Sequence, residues 1–349
     1  MNKKIEVASF LPLDETSCRV IAEAGVNHNN SIERAKEMVR AAAAAGAWAI
    51  KFQLYKAENL VVKDSPKYWE DELGTETQFQ AFKKSDHLNY MDYKEISDEC
   101  TRLGIIFFAT PFDLEAVDVL EDLGSPIYKV ASGDITHKRL LEKIRATNKP
   151  VLLSTGASTI PEIHRAIEWL GSDPQKICIL ACTLTYPTPD SDGNFYRIQS
   201  FKEEFKDYLI GFSDHTLGDA GGWMTAALGG TCIEKHFTLD KDLGEVPDHV
   251  MSVDPDELAS LVVACTRGAI LRGNSAIEVR NSERPALQNA RRSVVASEFI
   301  TAGTRITSEM VTAKRPGSGI PASEIDDVVG KTALIDMEED FVISYVDLA

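Results

Sequence analysis

Short apolar runs alternate with amphipathic stretches of helical period along most of the chain. The first run, RVIAEA at 19–24, follows about 17 residues of preamble and leads into an alanine-rich segment at 31–46. Ser31 is placed to N-cap a helix there, and Gly46 to stop it. The next run, WAIKFQ at 48–53, finishes in polar side chains. Residues 54–89 then break the rhythm with a polar, weakly periodic excursion of the kind that often serves as a functional loop. Further strands are predicted at 105–110, 126–132, 150–155, 176–182, 208–214 and 231–236. Helices are predicted at 91–103, 113–123, 136–147, 160–170, 195–205, 218–228 and 256–270. Eight such strand–helix units predict an α/β fold of the closed (β/α)8 TIM-barrel type. An open doubly wound sheet is the alternative, but no GxGxxG opens the first helix.

The pattern changes after residue 273. Residues 274–291 are polar, contain Pro285 and read as a linker between a barrel domain at 1–273 and a β-rich domain at 292–349. That last segment shows short strand patterns and tight turns. At roughly 60 residues its core would be marginal alone, so it is expected to pack on the barrel or on a partner subunit.

Charge and composition narrow the function. A formal net charge of −17 argues against a general nucleic-acid binder, while leaving room for an anionic substrate held by a few focused lysines. No run approaches 18 apolar residues, so no membrane span is expected, and residues 1–7 lack the apolar stretch of a signal peptide. The expected location is cytoplasmic. Six cysteines without framework spacing suit buried thiols in a reducing compartment; Cys178 and Cys182, four apart on a strand, read as packing residues.

Barrel strands are buried on both faces and should be apolar throughout, yet nearly every one here ends in polar residues. They include Glu23, Lys51 with Gln53, Thr110, Lys129 with Ser132, Ser154, Thr183 with Tyr186, Ser213 with Asp214 and His215, and Glu234 with Lys235 and His236. Catalytic groups of such barrels collect at that rim. Lys51 and Lys129 stand inside otherwise apolar strands, and a buried ammonium needs an anionic partner, for which a ligand phosphate or carboxylate is a natural candidate. His215 and His236 end adjacent strands near Asp214 and Glu23. They suit a divalent metal, with acid–base work and structural hydrogen bonding as the other two readings. His28 is a third candidate that could equally orient its loop, and His249 and Asp248 sit on the last strand-to-helix loop, with Asp248 the better acceptor for substrate hydroxyls.

With these residues in view, the chain resembles the nonulosonate (sialic acid) synthase family. The matching stretches include IAEAGVNHN at 21–29, AGAWAIKFQ at 45–53, FFATPFD at 107–113, YKVASGD at 128–134, IGFSDHTLG at 210–218, ALGGTCIEKHFTLD at 227–240 and KRPGSGI at 314–320. The resemblance implies a barrel followed by an antifreeze-like (SAF, β-clip) domain, in a domain-swapped homodimer. It implies condensation of phosphoenolpyruvate with an N-acetylated hexosamine, releasing phosphate. N-acetylmannosamine giving N-acetylneuraminate leads; a 2,4-diacetamido-2,4,6-trideoxyhexose giving legionaminate or pseudaminate is the alternative. A non-enzymatic binding subunit is the remote one, against which the joint presence of Lys51, Lys129, His215 and His236 weighs.

By the same resemblance Lys51, Thr110, Lys129, Ser132, Ser154 and Ser213 would bind phosphoenolpyruvate. His215 and His236 would hold the metal, Mn²⁺ foremost with Mg²⁺ or Co²⁺ as substitutes, polarising the sugar aldehyde. Glu23, Gln53, Tyr186, Asp248 and Arg315 would meet the sugar; Glu23 and Asp134 join the two histidines as catalytic groups. Two positions depart from the family pattern. Asp134 stands where glutamate is usual, and Asn30 where glycine is common. Asparagine tolerates the left-handed region, so that turn is expected to survive.

Overall fold

A computed structural model describes residues 16–69, 75–243 and 247–349. The signal-peptide reading of 1–7 and residues 70–74 of the excursion fall outside that set. The chain divides into two compact units at Gly273/Asn274.

In the first unit eight parallel strands close a barrel in chain order. They are β1 (Arg19–Gly25), β2 (Ala49–Leu54), β3 (Ile106–Pro111), β4 (Tyr128–Val130), β5 (Val151–Ser154), β6 (Ile177–Cys182), β7 (Leu209–Asp214) and β8 (Cys232–His236). Closure comes from β8 pairing with β1, which sets Glu23 against His236 on one side and against Lys51 of β2 on the other. The open-sheet alternative is thereby excluded.

Strand side chains alternate between faces, so each strand carries one inward row and one outward row. The outward rows, such as Val20 and Ala22 of β1, join the core packed under the helices. The inward rows begin with Ile21, Ala49, Phe108, Leu152, Cys178 and Cys232, which fill the barrel as a separate apolar cluster. Two residues further along, the same rows become polar: Ile21 is followed by Glu23, Ala49 by Lys51, Phe108 by Thr110, Leu152 by Ser154 and Cys232 by Glu234. The floor and the polar rim are successive rungs of one ladder. Gly211 is the inward residue of β7 at the floor level, where an added Cβ would lie 2.6 Å from Cys232 Sγ and 2.8 Å from the Cys232 carbonyl.

Helices begin where capping chemistry allows. Ser31 accepts from the Arg34 amide at 3.2 Å to start Ile32–Ala44, and Asn89 with Asp92 forms a capping box for Tyr90–Leu103, which Gly104 ends at φ +71. Two expectations need correction. The fourth strand, expected over 126–132, stops at Val130, because Ser132–Asp134 turns into a 3-10 helix that carries Ser132 and Asp134 off the strand. The excursion at 54–89 is not structureless: it holds the short helices Ala57–Leu60 and Gln78–Lys83. Buried Asp86 accepts from the Ala57 amide at 3.0 Å. Asn30, at φ +58, donates to the Lys84 carbonyl at 2.6 Å and accepts from the His87 amide at 3.1 Å. The turn survives as expected, and the asparagine adds a tether that glycine lacks.

The second unit contains less strand than its pattern suggests. β9 (Ser293–Ala296) pairs antiparallel with β10 (Val311–Lys314), and the remaining ladders are isolated bridges. Pro316, Pro321 and glycines at 303, 317, 319 and 330 interrupt the chain before longer strands can grow. Val294, Ala296, Ile300, Ile306, Met337 and Ile343 form its core. Within the segment read as linker, Asn281–Glu283 and Arg284–Asn289 are helical, with Pro285 in the first turn.

Gly211→Ala should overpack the barrel floor and lower stability by about 2–3 kcal/mol. Urea unfolding checks this, and a loss below about 0.5 kcal/mol would contradict the packing described.

Candidate active site

The polar rungs surround a cavity of about 360 Å³ at the C-terminal ends of the strands. Every barrel residue given a binding or catalytic role by the resemblance lines it: the two lysines, the serines and Thr110, the acids Glu23, Asp134 and Asp248, Gln53, Tyr186 and the two histidines. Arg315 lies in the second unit, on an exposed turn.

The two lysines differ. Lys51 Nζ lies 2.7 Å from Glu23 Oε2 and 3.6 Å from Glu234 Oε1, and donates to Thr110 Oγ1 at 2.9 Å. Burial works to lower its pKa, but Glu23 and Glu234 outweigh it and hold the ammonium above its usual value. The counter-charge that Lys51 requires thus comes from the protein itself. Glu23 also accepts from Gln53 Nε2 at 3.0 Å, which sets its carboxylate toward the lysine. Glu234 carried no assigned role in the sequence, although its alternation with His236 on β8 marks it as inward-facing. Burial would raise its pKa, and Lys129 and Lys51 bring it below the carboxylate norm.

Lys129 is 3% exposed and its Nζ donates to the Val130 carbonyl at 2.9 Å. Among the described residues no carboxylate stands within ion-pair distance of it, and burial pushes its pKa down. Ser154 Oγ, buried on the neighbouring strand, has no hydrogen-bond partner among the described residues. Ser132 Oγ accepts from the Gly156 amide at 2.9 Å. A buried ammonium without a close carboxylate, near the unsatisfied Ser154 hydroxyl, suits an anion.

His215 and His236 face each other with ring centroids 5.4 Å apart, and Tyr186 packs on His215 at 4.2 Å. His215 Nδ1 lies 2.9 Å from the Thr183 carbonyl, which fixes the proton there and leaves Nε2 as the lone-pair nitrogen. His236 Nδ1 is buried without a hydrogen bond, although Asp248 Oδ2 is 3.3 Å away. Burial alone would lower the His236 pKa, but Asp248 holds it above normal. Both imidazoles fit a divalent cation in donor type, and His215 fits it in tautomer as well. Among the described residues no group of three or more His, Cys, Asp or Glu could hold one, so water or substrate oxygens would have to complete the shell. Cys182, read as a packing residue, has its Sγ 3.9 Å from His215 Nδ1. All six cysteines are free and buried.

Two histidine expectations resolve structurally. His28 accepts the Asn30 amide through Nδ1 at 3.1 Å, and burial depresses its pKa to about 4, so it orients its loop. His249 does not line the cavity: it is fully buried, with Nδ1 2.8 Å from Thr238 Oγ1 and Nε2 3.2 Å from Asn29 Oδ1. Asp134 does line it, and burial pushes its carboxyl up to about 7 while Lys129 pulls the other way. The remaining wall comes from the excursion, through Tyr55, Leu60, Val61, Tyr68, Trp69 and Phe82. Tyr68 and Trp69 stand out in the sequence as apolar groups of the excursion, but weak periodicity hid the others; the aromatic pairs that organise the segment (Tyr55–Phe82 at 5.5 Å, Trp69–Phe82 at 5.7 Å) join positions far apart in it.

A closed (β/α)8 barrel with charged and hydroxyl side chains gathered at its strand ends has the layout of an enzyme site for small anionic molecules. The chain belongs to the NeuB family, whose model matches residues 38–276, and residues 291–349 match the SAF domain. It is 38% identical over 330 residues to the N,N'-diacetyllegionaminic acid synthase of Campylobacter jejuni, covering 93% of this chain and 98% of that protein. It is 32% identical over 330 residues to the human N-acetylneuraminate-9-phosphate synthase, covering 93% and 91%. Among solved structures, a sialic acid synthetase from Leptospira borgpetersenii superposes with a TM-score of 0.70 at 31% identity, covering 78% of this chain and 91% of that one. The protein is therefore an enzyme of the nonulosonic acid synthase family, and the non-enzymatic reading is set aside.

A small phosphate-bearing anion at about 100 times its dissociation constant should stabilise the protein by about 2.7 kcal/mol and raise Tm by roughly 5 °C or more. Lys129→Met should abolish the shift in a thermal scan. An undiminished shift in that variant would contradict the pocket assignment.

Proposed function

We propose that this enzyme condenses phosphoenolpyruvate with an open-chain N-acetylated hexosamine to give a nonulosonic acid and inorganic phosphate. The observation that carries the reading is Lys129, buried without a carboxylate partner among the described residues and set beside Ser154 in the same cavity as Lys51, His215 and His236. Lys129, Ser132 and Ser154 receive the phosphate, while Lys51, Thr110 and Ser213 serve the carboxylate end. The bond that forms joins C3 of phosphoenolpyruvate to the aldehyde carbon of the sugar, whose oxygen takes a proton and becomes a hydroxyl. Water then adds at C2 to give a centre bearing both hydroxyl and phosphate; as the C2–O bond to phosphate breaks, the hydroxyl passes its proton to the departing phosphate and C2 becomes a ketone. Asp134 takes the proton of that water, a role open to its carboxylate form. Bound between His215 and His236, a divalent metal (Mn²⁺, with Mg²⁺ or Co²⁺ as substitutes) would polarise the aldehyde as a Lewis acid.

For the acceptor, the aromatic and aliphatic wall of the excursion favours a 2,4-diacetamido-2,4,6-trideoxyhexose over N-acetylmannosamine. A terminal methyl suits Leu60, Val61, Trp69 and Phe82, while Gln78, Lys84 and Ser85 of the same segment offer polar partners for the acetamido groups. The greater similarity to the diacetyllegionaminic acid synthase, 38% against 32%, supports the same choice. Glu23, Gln53, Tyr186 and Asp248 remain for the sugar's hydroxyls and acetamido group. Arg315 is assigned to the N-acetyl group in the cleft of a partner subunit, within a domain-swapped homodimer, for which its planar fork is suited.

Phosphate release should be measured with Mn²⁺, phosphoenolpyruvate and a panel of N-acetylated hexoses. The diacetamido-trideoxy sugars should exceed N-acetylmannosamine by at least about tenfold in kcat/KM. Preference for N-acetylmannosamine would overturn the acceptor assignment, and absence of release with every sugar of the panel would overturn the synthase reading. Because Asp134 holds its proton up to about pH 7, activity should fall as pH drops through 7. Asp134→Asn should remove that limb and cost on the order of 10²–10⁴ in rate; an acid limb near pH 4 would contradict the role.

A further inference from the structure

Behind the two histidines, on the outward face of the barrel, lies a second charged cluster to which neither the fold nor the proposed chemistry gives a role. Lys235 alternates with Glu234 and His236 on β8 and so points away from the cavity, where its outward neighbour Ile233 packs among apolar residues. Its Nζ lies 2.9 Å from Asp214 Oδ2 and also donates to the Thr216 carbonyl. Asp214 Oδ1 accepts from the Thr216 amide at 2.9 Å and from Thr216 Oγ1 at 2.8 Å. Lys235 and Asp214 are both fully buried. The network joins the end of β8 to the end of β7 and closes a tight loop around His215, whose own carbonyl accepts the Thr188 amide at 2.8 Å. Room for it depends on Gly221, where an added Cβ would sit 2.2 Å from Asp214 Oδ2.

A buried ion pair of this kind adds little stability over apolar residues of the same volume. Its placement offers a better reason. Asp214 and Thr216 flank His215, and Lys235 precedes His236, so the network fixes the two backbone segments from which both imidazoles project. We infer that Lys235, Asp214 and Thr216 are positioning residues that hold His215 and His236 at the separation and orientation a divalent cation requires. The inference rests on the metal assignment proposed above and deepens it.

Three variants of the full chain separate this from a merely structural role. Thr216→Val removes one donor while keeping the side-chain shape, and Thr216→Ser restores it. Asp214→Asn with Lys235→Met removes both charges together, avoiding one charge left buried alone. Mn²⁺ affinity is read by calorimetry or electron paramagnetic resonance, and phosphoenolpyruvate affinity is read without metal. Thr216→Val and the double variant should weaken Mn²⁺ binding by about 10–100-fold. Phosphoenolpyruvate binding, carried by Lys51 and Lys129, should stay within about threefold, and Thr216→Ser should recover most of the loss. Mn²⁺ binding unchanged in the variants, or both ligands weakened in parallel, overturns the positioning role while leaving the metal assignment standing. Wild-type protein that binds phosphoenolpyruvate but no Mn²⁺ overturns the metal assignment and this inference with it.

Discussion

An ammonium sealed from water is tolerated only beside compensating charge, and this barrel seals two of them into one cavity. Lys51 is compensated internally, by Glu23 across one strand pairing and by Glu234 beyond it. Lys129 feels Glu234 only at longer range: among the described residues no carboxylate stands within ion-pair distance of it, and its ammonium donates to a backbone carbonyl. The difference gives the cavity its polarity: one cation is paired with carboxylates of the protein, and the other is the one the proposed function gives to the substrate phosphate. Hydroxyls of Ser132 and Ser154 stand on the side of the uncompensated charge, and the two imidazoles with Asp248 occupy another part of the same space.

The same alternation that builds the barrel delivers these groups. Because the inward rows of every strand but β6 pass from an apolar floor to a polar rim within two residues, the strand pattern could be read directly for candidate site positions. That is why Lys51, Thr110, Lys129, Ser154, Ser213 and His236 were legible in the chain. What pattern could not supply was pairing across the closure. Glu23 and Glu234 are over two hundred positions apart and reach the same lysine only because β8 seals against β1. The sequence therefore pointed to a ligand as the partner of Lys51, when the barrel provides two carboxylates. His249 shows the converse error, since a loop position beside Asp248 suggested a cleft residue, yet its ring is spent on Thr238 and Asn29.

The proposed acceptor choice falls to the part of the chain with the least pattern. The excursion contributes an aromatic and aliphatic wall whose residues pack by contacts across the segment rather than by helical or strand period. Asn30 and Asp86 hold that segment at its ends through side-chain bonds to backbone, so the departure from glycine at position 30 acquires a physical purpose. The second unit was harder to read for a different reason: frequent glycine and proline replace strand ladders with turns, leaving a small core tied by single bridges.

The account turns on Lys129 being a receptor for the phosphate of the substrate. A crystal structure with phosphoenolpyruvate bound tests this most directly. The phosphoryl oxygens should lie within hydrogen-bond distance of Lys129 Nζ and Ser154 Oγ, with Lys129 turned away from the Val130 carbonyl and Lys51 still paired with Glu23. Phosphoenolpyruvate bound elsewhere in the cavity, with Lys129 still donating to Val130, would contradict it.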